Sequence, residues 1–135
     1  MYWNEDKIES KKEYFSIERT EKKGKFTEFT VRTYYCIAKL CSDNDGISCE
    51  PRFFHPRIIS KIVYEGFYDE PDHDHVNVIN DCKDTLKKMN YIKFKKEHNN
   101  WVVYLNKPLD FLLPGEHEAY LEKFGIKSKL NYLDI

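Results

Sequence analysis

Two short runs, Tyr91-Ile92-Lys93-Phe94-Lys95-Lys96 and Trp101-Val102-Val103-Tyr104-Leu105, are separated only by Glu97-His98-Asn99-Asn100. Residue-by-residue alternation of apolar and polar side chains marks strands with one buried face. So short a polar connection does not carry the chain back to a parallel start, so the two strands pair antiparallel. Any fold available to this chain must accommodate that hairpin.

The segments before it have a different period. A helix is expected from Thr27, whose hydroxyl caps the first turn, with Phe26 and Val31 at the two positions of a hydrophobic staple. Phe29, Thr33, Cys36, Ile37 and Leu40 form its expected inward stripe. Ser42-Asp43-Asn44-Asp45-Gly46 ends it by turn chemistry, and Ile47-Ser48-Cys49 is a brief extended segment. A second helix is expected over Pro56 to Tyr64, burying Ile58, Ile59, Ile62 and Val63. The Tyr68–His75 stretch, with its Asp72-His73-Asp74-His75 run, reads as an acidic surface loop.

A third helix is expected from about His75 to Met89, with Ile79, Cys82, Leu86 and Met89 inward and Asn90 as a left-handed cap. Pro114-Gly115 then breaks the chain before a last helix, Glu116 to Phe124, that closes at Gly125. Near the N-terminus, Glu13 to Arg19 alternates as a strand candidate ahead of the Glu21-Lys22-Lys23-Gly24 turn.

At 135 residues the chain is expected to form one α+β domain. No stretch approaches the ~18 apolar residues of a membrane span. The acidic start Met1-Tyr2-Trp3-Asn4-Glu5-Asp6 has no apolar run behind it, so a cytoplasmic location is expected. Cys36, Cys41, Cys49 and Cys82 read as reduced, buried thiols. Their spacing, with His55, His73, His75 and His98 scattered elsewhere, is not that of a zinc site, and no cofactor is expected. Asp43-Asn44-Asp45-Gly46 lacks the later ligands of a calcium loop. A glycine-rich phosphate loop, Gly-x-Ser-x-Gly and His-Glu-x-x-His are all missing, so the sequence argues against an enzyme.

The net charge of −1 excludes a uniformly basic polyanion binder. Charge is nevertheless concentrated. Residues 41–80 carry −5, whereas residues 81–107 carry +4 through Lys83, Lys87, Lys88, Lys93, Lys95, Lys96 and Lys107. A basic block with aromatics inside it is where a nucleic acid would touch.

The order helix, short strand, helix, helix, hairpin resembles that of winged helix-turn-helix domains. Thr85-Leu86-Lys87-Lys88-Met89-Asn90-Tyr91-Ile92-Lys93-Phe94 resembles that family's passage from recognition helix into wing, with Asn90 in place of a common glycine. Asp45-Gly46-Ile47-Ser48-Cys49 resembles its loop and first strand.

The resemblance covers about residues 27–106 and is closest to small proteins of bacteria, plasmids and phages. It implies a three-helix core with a C-terminal wing over 27–110. An extension with a strand or hairpin over 1–26 and a C-terminal helix and tail over 111–135 flank that core. It further implies sequence-specific binding of double-stranded DNA, as a transcription regulator or an accessory factor in replication or transfer of a mobile element.

By position in that arrangement, His75, Asn77, Val78, Asn80 and Asp81 form the front of the recognition helix and Lys83, Lys87 and Lys88 its back. Lys93, Lys95 and Lys96 line the wing, with His98, Asn99 and Asn100 at its tip. Asp81 and Asp84 depart from the family's basic helix face. Either the wing carries most of the DNA contact, or the domain docks a protein. In the second case Tyr2, Trp3, Tyr68, Tyr120 and Phe124 are the candidate anchors. A homodimer through the terminal elements would use Leu121, Phe124, Ile126 and Leu130, unless these cover the domain's own core.

Overall fold

The computed structural model describes residues 27–44, 46–48, 56–63 and 73–133. The expected strand from Glu13, the Glu21–Gly24 turn, the staple residue Phe26, Cys49, His55 and most of the acidic loop lie outside these. So do Tyr2, Trp3 and Tyr68. The architecture is α+β. Helix α1 (Glu28–Asp43) is followed by strand β1 (Ile47–Ser48), then helices α2 (Pro56–Val63) and α3 (His73–Lys88). Strands β2 (Ile92–Glu97) and β3 (Asn100–Leu105) and helix α4 (Glu116–Lys123) complete it.

Helix α1 starts where the sequence expects. The Thr27 hydroxyl accepts from the Thr30 amide at 3.4 Å, and the Thr27 amide donates to Thr30 Oγ1 at 3.2 Å, a capping box built from two threonines. Its burial departs from the expected stripe, because every residue from Glu28 to Ala38 is buried, Arg32 included at 2% exposure. A helix surrounded on all sides is the axis of a core, not an amphipathic cover. Helices α2 and α3 both pack on it and on each other. Thr30 Oγ1 reaches Cys82 Sγ on α3 at 3.6 Å.

The reason for the all-round burial is α4. Tyr120 stacks on Tyr35 with ring centroids 4.9 Å apart, and its hydroxyl donates to Glu28 Oε2 at 2.6 Å. Tyr35 in turn shares a 2.6 Å hydrogen bond with His117 Nδ1. Polar positions of α1 are thus satisfied by a helix about 90 residues away in sequence, as buried polar groups require. Tyr120, Ile126 and Leu130 are buried within the protein, and Leu121 and Phe124 pack against the same core. The C-terminal element therefore covers its own domain, and these residues are not free arms for a dimer.

On α2, Ile59 and Val63 are buried and Ile62 is half-buried, but Ile58 is 41% exposed and drops out of the expected inward face. Helix α3 begins at His73, so His73 to His75 belong to a helix and not to the expected loop. Its C-terminus follows the sequence reading. Asn90 adopts φ 65°, while the Tyr91 amide donates to the Leu86 carbonyl and the Asn90 amide to that of Lys87, closing a Schellman turn. Asn106 clamps this turn, its side chain donating to the Asn90 carbonyl and its amide to that of Tyr91.

The three strands form an antiparallel sheet in the order β1-β3-β2. The hairpin connection is tighter than the four residues expected. Only His98 (φ 50°) and Asn99 (φ 68°) lie between the strands, and positive φ at both is the signature of a type I′ turn. Register follows from that turn: Ile92 faces Leu105, Phe94 faces Val103 and Lys96 faces Trp101. Among the described residues, no helix is long and apolar enough to cross a membrane.

Candidate nucleic-acid interface

The basic residues of α3 and the hairpin divide according to simple geometry. At about 100° per residue, Asn80, Lys83 and Lys87 fall within about 60° of one another on α3, while Asn77, Asp81, Asp84 and Lys88 form a neighbouring stripe. The first stripe faces the hairpin, since Lys87 Nζ lies 5.3 Å from the centre of the Phe94 ring on β2. The carboxylate-bearing stripe turns the other way. Asp81 and Asp84 border a recess of roughly 320 Å³ between Thr27 and Thr30 at the start of α1 and Val78, Cys82, Thr85 and Lys88 of α3. The two aspartates that disfavour phosphate therefore lie off the hairpin-facing stripe of the helix.

The hairpin carries lysines on both faces. Opposite residues of an antiparallel pair share a face, and faces alternate along each strand. Ile92, Phe94 and Lys96 lie with Trp101, Val103 and Leu105 on the side toward the helices. Lys93, Lys95 and Glu97 lie with Asn100, Val102 and Tyr104 on the other. Lys93, Lys95 and Lys96 are all exposed. On the outer face, Tyr104 donates to Glu97 Oε2 at 2.7 Å, and Lys95 Nζ stands 6.0 Å from the Tyr104 ring centre. The hairpin's one carboxylate is thereby held by a hydroxyl.

Not all of the expected contact residues are accessible. His75 is 2% exposed and belongs to the interior, so it cannot read a base edge. Asn77, Lys87 and Lys88 are exposed and Asn80 and Lys83 half-buried, while His98, Asn99 and Asn100 are exposed at the hairpin tip. Tyr120 is buried and is not an interface anchor.

One aromatic of the basic block was not singled out by the sequence as a contact residue. Trp101 is 54% exposed, because register places it opposite Lys96, the next pair on that face beyond half-buried Phe94 and buried Val103. Reading His98-Asn99 as a two-residue turn would have revealed this, since both residue types tolerate left-handed backbone.

Of the described thiols, Cys36 and Cys82 are buried and Cys41 is half-buried. Desolvation pushes Cys36 and Cys41 up to about 12 and Cys82 up to about 11, so all three stay protonated at neutral pH. Among the described residues, no three His, Cys, Asp or Glu side chains gather as a metal site would require. No family model, curated protein or solved structure matches the chain.

Proposed function

We propose that this chain is a winged-helix module that binds double-stranded DNA, with the β2–β3 hairpin as wing and α3 as recognition helix. Within that reading it acts in the cytoplasm as a transcription regulator or as an accessory factor in replication or transfer of a mobile element. One observation carries the reading: lysines stand on both faces of a projecting hairpin, beside a helix whose hairpin-facing stripe is Asn80, Lys83 and Lys87. A hairpin entering a groove meets a phosphate strand on each side, so it needs cations on each face. Asn80 supplies amide chemistry suited to adenine, and Lys87 and Lys88 suit phosphate.

A second reading, a protein-docking module, is favoured by the Asp81–Asp84 stripe and the recess beside it. Anisotropy titration of labelled duplex over a range of salt separates the two. Each lysine that meets a phosphate adds about 0.9 to the slope of log affinity against log salt. Changing Lys93, Lys95 and Lys96 together to glutamine should make that slope shallower by about 2 to 3. Binding that is indifferent to salt, or absent at low salt, refutes the DNA reading. A double D81N/D84N variant that leaves DNA binding within about twofold supports the separation of the two stripes.

A further inference from the structure

Trp101 has no role in the duplex contact just described, yet it stands within that surface. Among the described residues it is the most exposed large apolar side chain, on the helix-facing side of the hairpin, paired across the ladder with Lys96. Phe94 lies on the same face, with Lys87 Nζ 5.3 Å from its ring. Lys83 and Asn80 continue the surface along α3. A flat indole set among ammonium groups is complementary to a polyanion that also presents flat aromatic faces. Nucleic acid has both properties.

Intact duplex does not use this pairing well. Its base faces are covered by stacking, and an indole reaches them only by opening a base step, which costs energy. An unpaired base has a free face, and stacking on an aromatic side chain is sequence-tolerant and strong. Lys87 and the hairpin lysines meanwhile suit the phosphates of adjoining duplex.

We infer that the Trp101–Lys96 pair is a base-stacking site, and that the preferred ligand is DNA in which a duplex adjoins an unpaired strand. The inference rests on the DNA-binding reading and narrows its ligand. In it, α3 and the hairpin lysines hold the duplex, and Trp101 stacks on the first unpaired base beyond it.

The test uses the full chain and two labelled DNAs, a blunt duplex and the same duplex with a single-stranded thymidine tail. The tailed DNA should bind more tightly. W101A should lose that preference, weakening tailed binding by about 5- to 150-fold while leaving blunt binding within about twofold. W101F, which keeps an aromatic face, should retain most of it. Trp3 and Trp101 are the chain's two tryptophans. In a W3F background, indole emission should therefore quench on the tailed DNA and not on the blunt one.

Equal binding of the two DNAs by the parent chain, or equal losses on both in W101A, overturns the stacking site while leaving duplex binding intact. Failure of either DNA to bind at low salt overturns the DNA reading and the stacking site with it.

Discussion

Gly46 is the point at which a single methyl group should cost this protein most for its size. Its φ is +85°, and a Cβ there would lie 2.5 Å from Tyr104 Cε1, with Cζ and Cδ1 both under 3.0 Å. Two penalties follow for Gly46→Ala. The left-handed backbone costs an L-residue about 1 kcal/mol. The methyl must also displace the Tyr104 ring, which breaks the 2.7 Å hydrogen bond to Glu97 and moves the ring away from Lys95. Loss of that charge-assisted bond at a partly buried site adds about 1 to 2 kcal/mol.

The sum of about 2 to 3 kcal/mol corresponds to a fall in midpoint of roughly 7 to 10 °C for a chain of this length. Urea unfolding at neutral pH measures it directly. The decisive comparison is Gly46→Ala in a Tyr104→Ala background. With the ring gone only the backbone term remains, so the second substitution should cost about 1 kcal/mol, and the cycle should show about 1 to 2 kcal/mol of coupling. Strict additivity, or a Gly46→Ala cost under about 0.5 kcal/mol in the parent, would refute the ring-contact argument.

Two further outcomes are expected. The thiols of Cys36, Cys41 and Cys82 and the phenols of Tyr34 and Tyr35 all have pKa values raised by burial, so the folded state holds protons that the unfolded state releases. Stability from these groups is complete below about pH 9 and is lost above it, at about 1.4 kcal/mol per pH unit for each group engaged. Urea midpoints should be level from pH 7 to 8.5 and fall steeply beyond; a level profile to pH 10.5 contradicts the burial of these groups. At the hairpin turn, replacing His98-Asn99 with Asn-Gly should raise stability by about 0.5 to 1 kcal/mol, since both positions have positive φ. A fall in the urea midpoint would argue against the type I′ turn.

Locally encoded features of the fold were legible in the sequence. Thr27, Asn90, Pro114-Gly115 and the alternating strands each act through their own backbone or nearest neighbours, so their residue types suffice. What escaped depends on distant partners. The burial of Glu28 and Arg32 cannot be read from α1 alone, because α4 supplies Tyr120 to the far side of the same helix. His75 looks like a solvent-facing helix entry until the packing of α3 puts it inside.

The site was legible to a similar depth. The basic block was plain, but the sequence reading weighed Asp81 and Asp84 as obstacles to phosphate on the helix as a whole. Helical geometry sets them apart from Lys83 and Lys87 but leaves Lys88 on their own stripe. Trp101 counted only as one of the aromatics inside the basic block, because the register that decides its exposure depends on the turn.

The position of β2 carries one more consequence. With β3 in the middle of the sheet, β2 is an edge strand among the described residues. Lysine is among the commonest means by which proteins keep such an edge from recruiting strangers, because two like-charged strands repel before they can zip together. Lys93, Lys95 and Lys96 are placed to serve that purpose independently of any nucleic-acid contact. On the proposed DNA-binding reading, replacing them with apolar residues to weaken that binding would also remove the charges that guard an edge strand. On that same reading, affinity and colloidal stability are tied to one strand, and a variant that relaxes the first should keep polar side chains there to preserve the second.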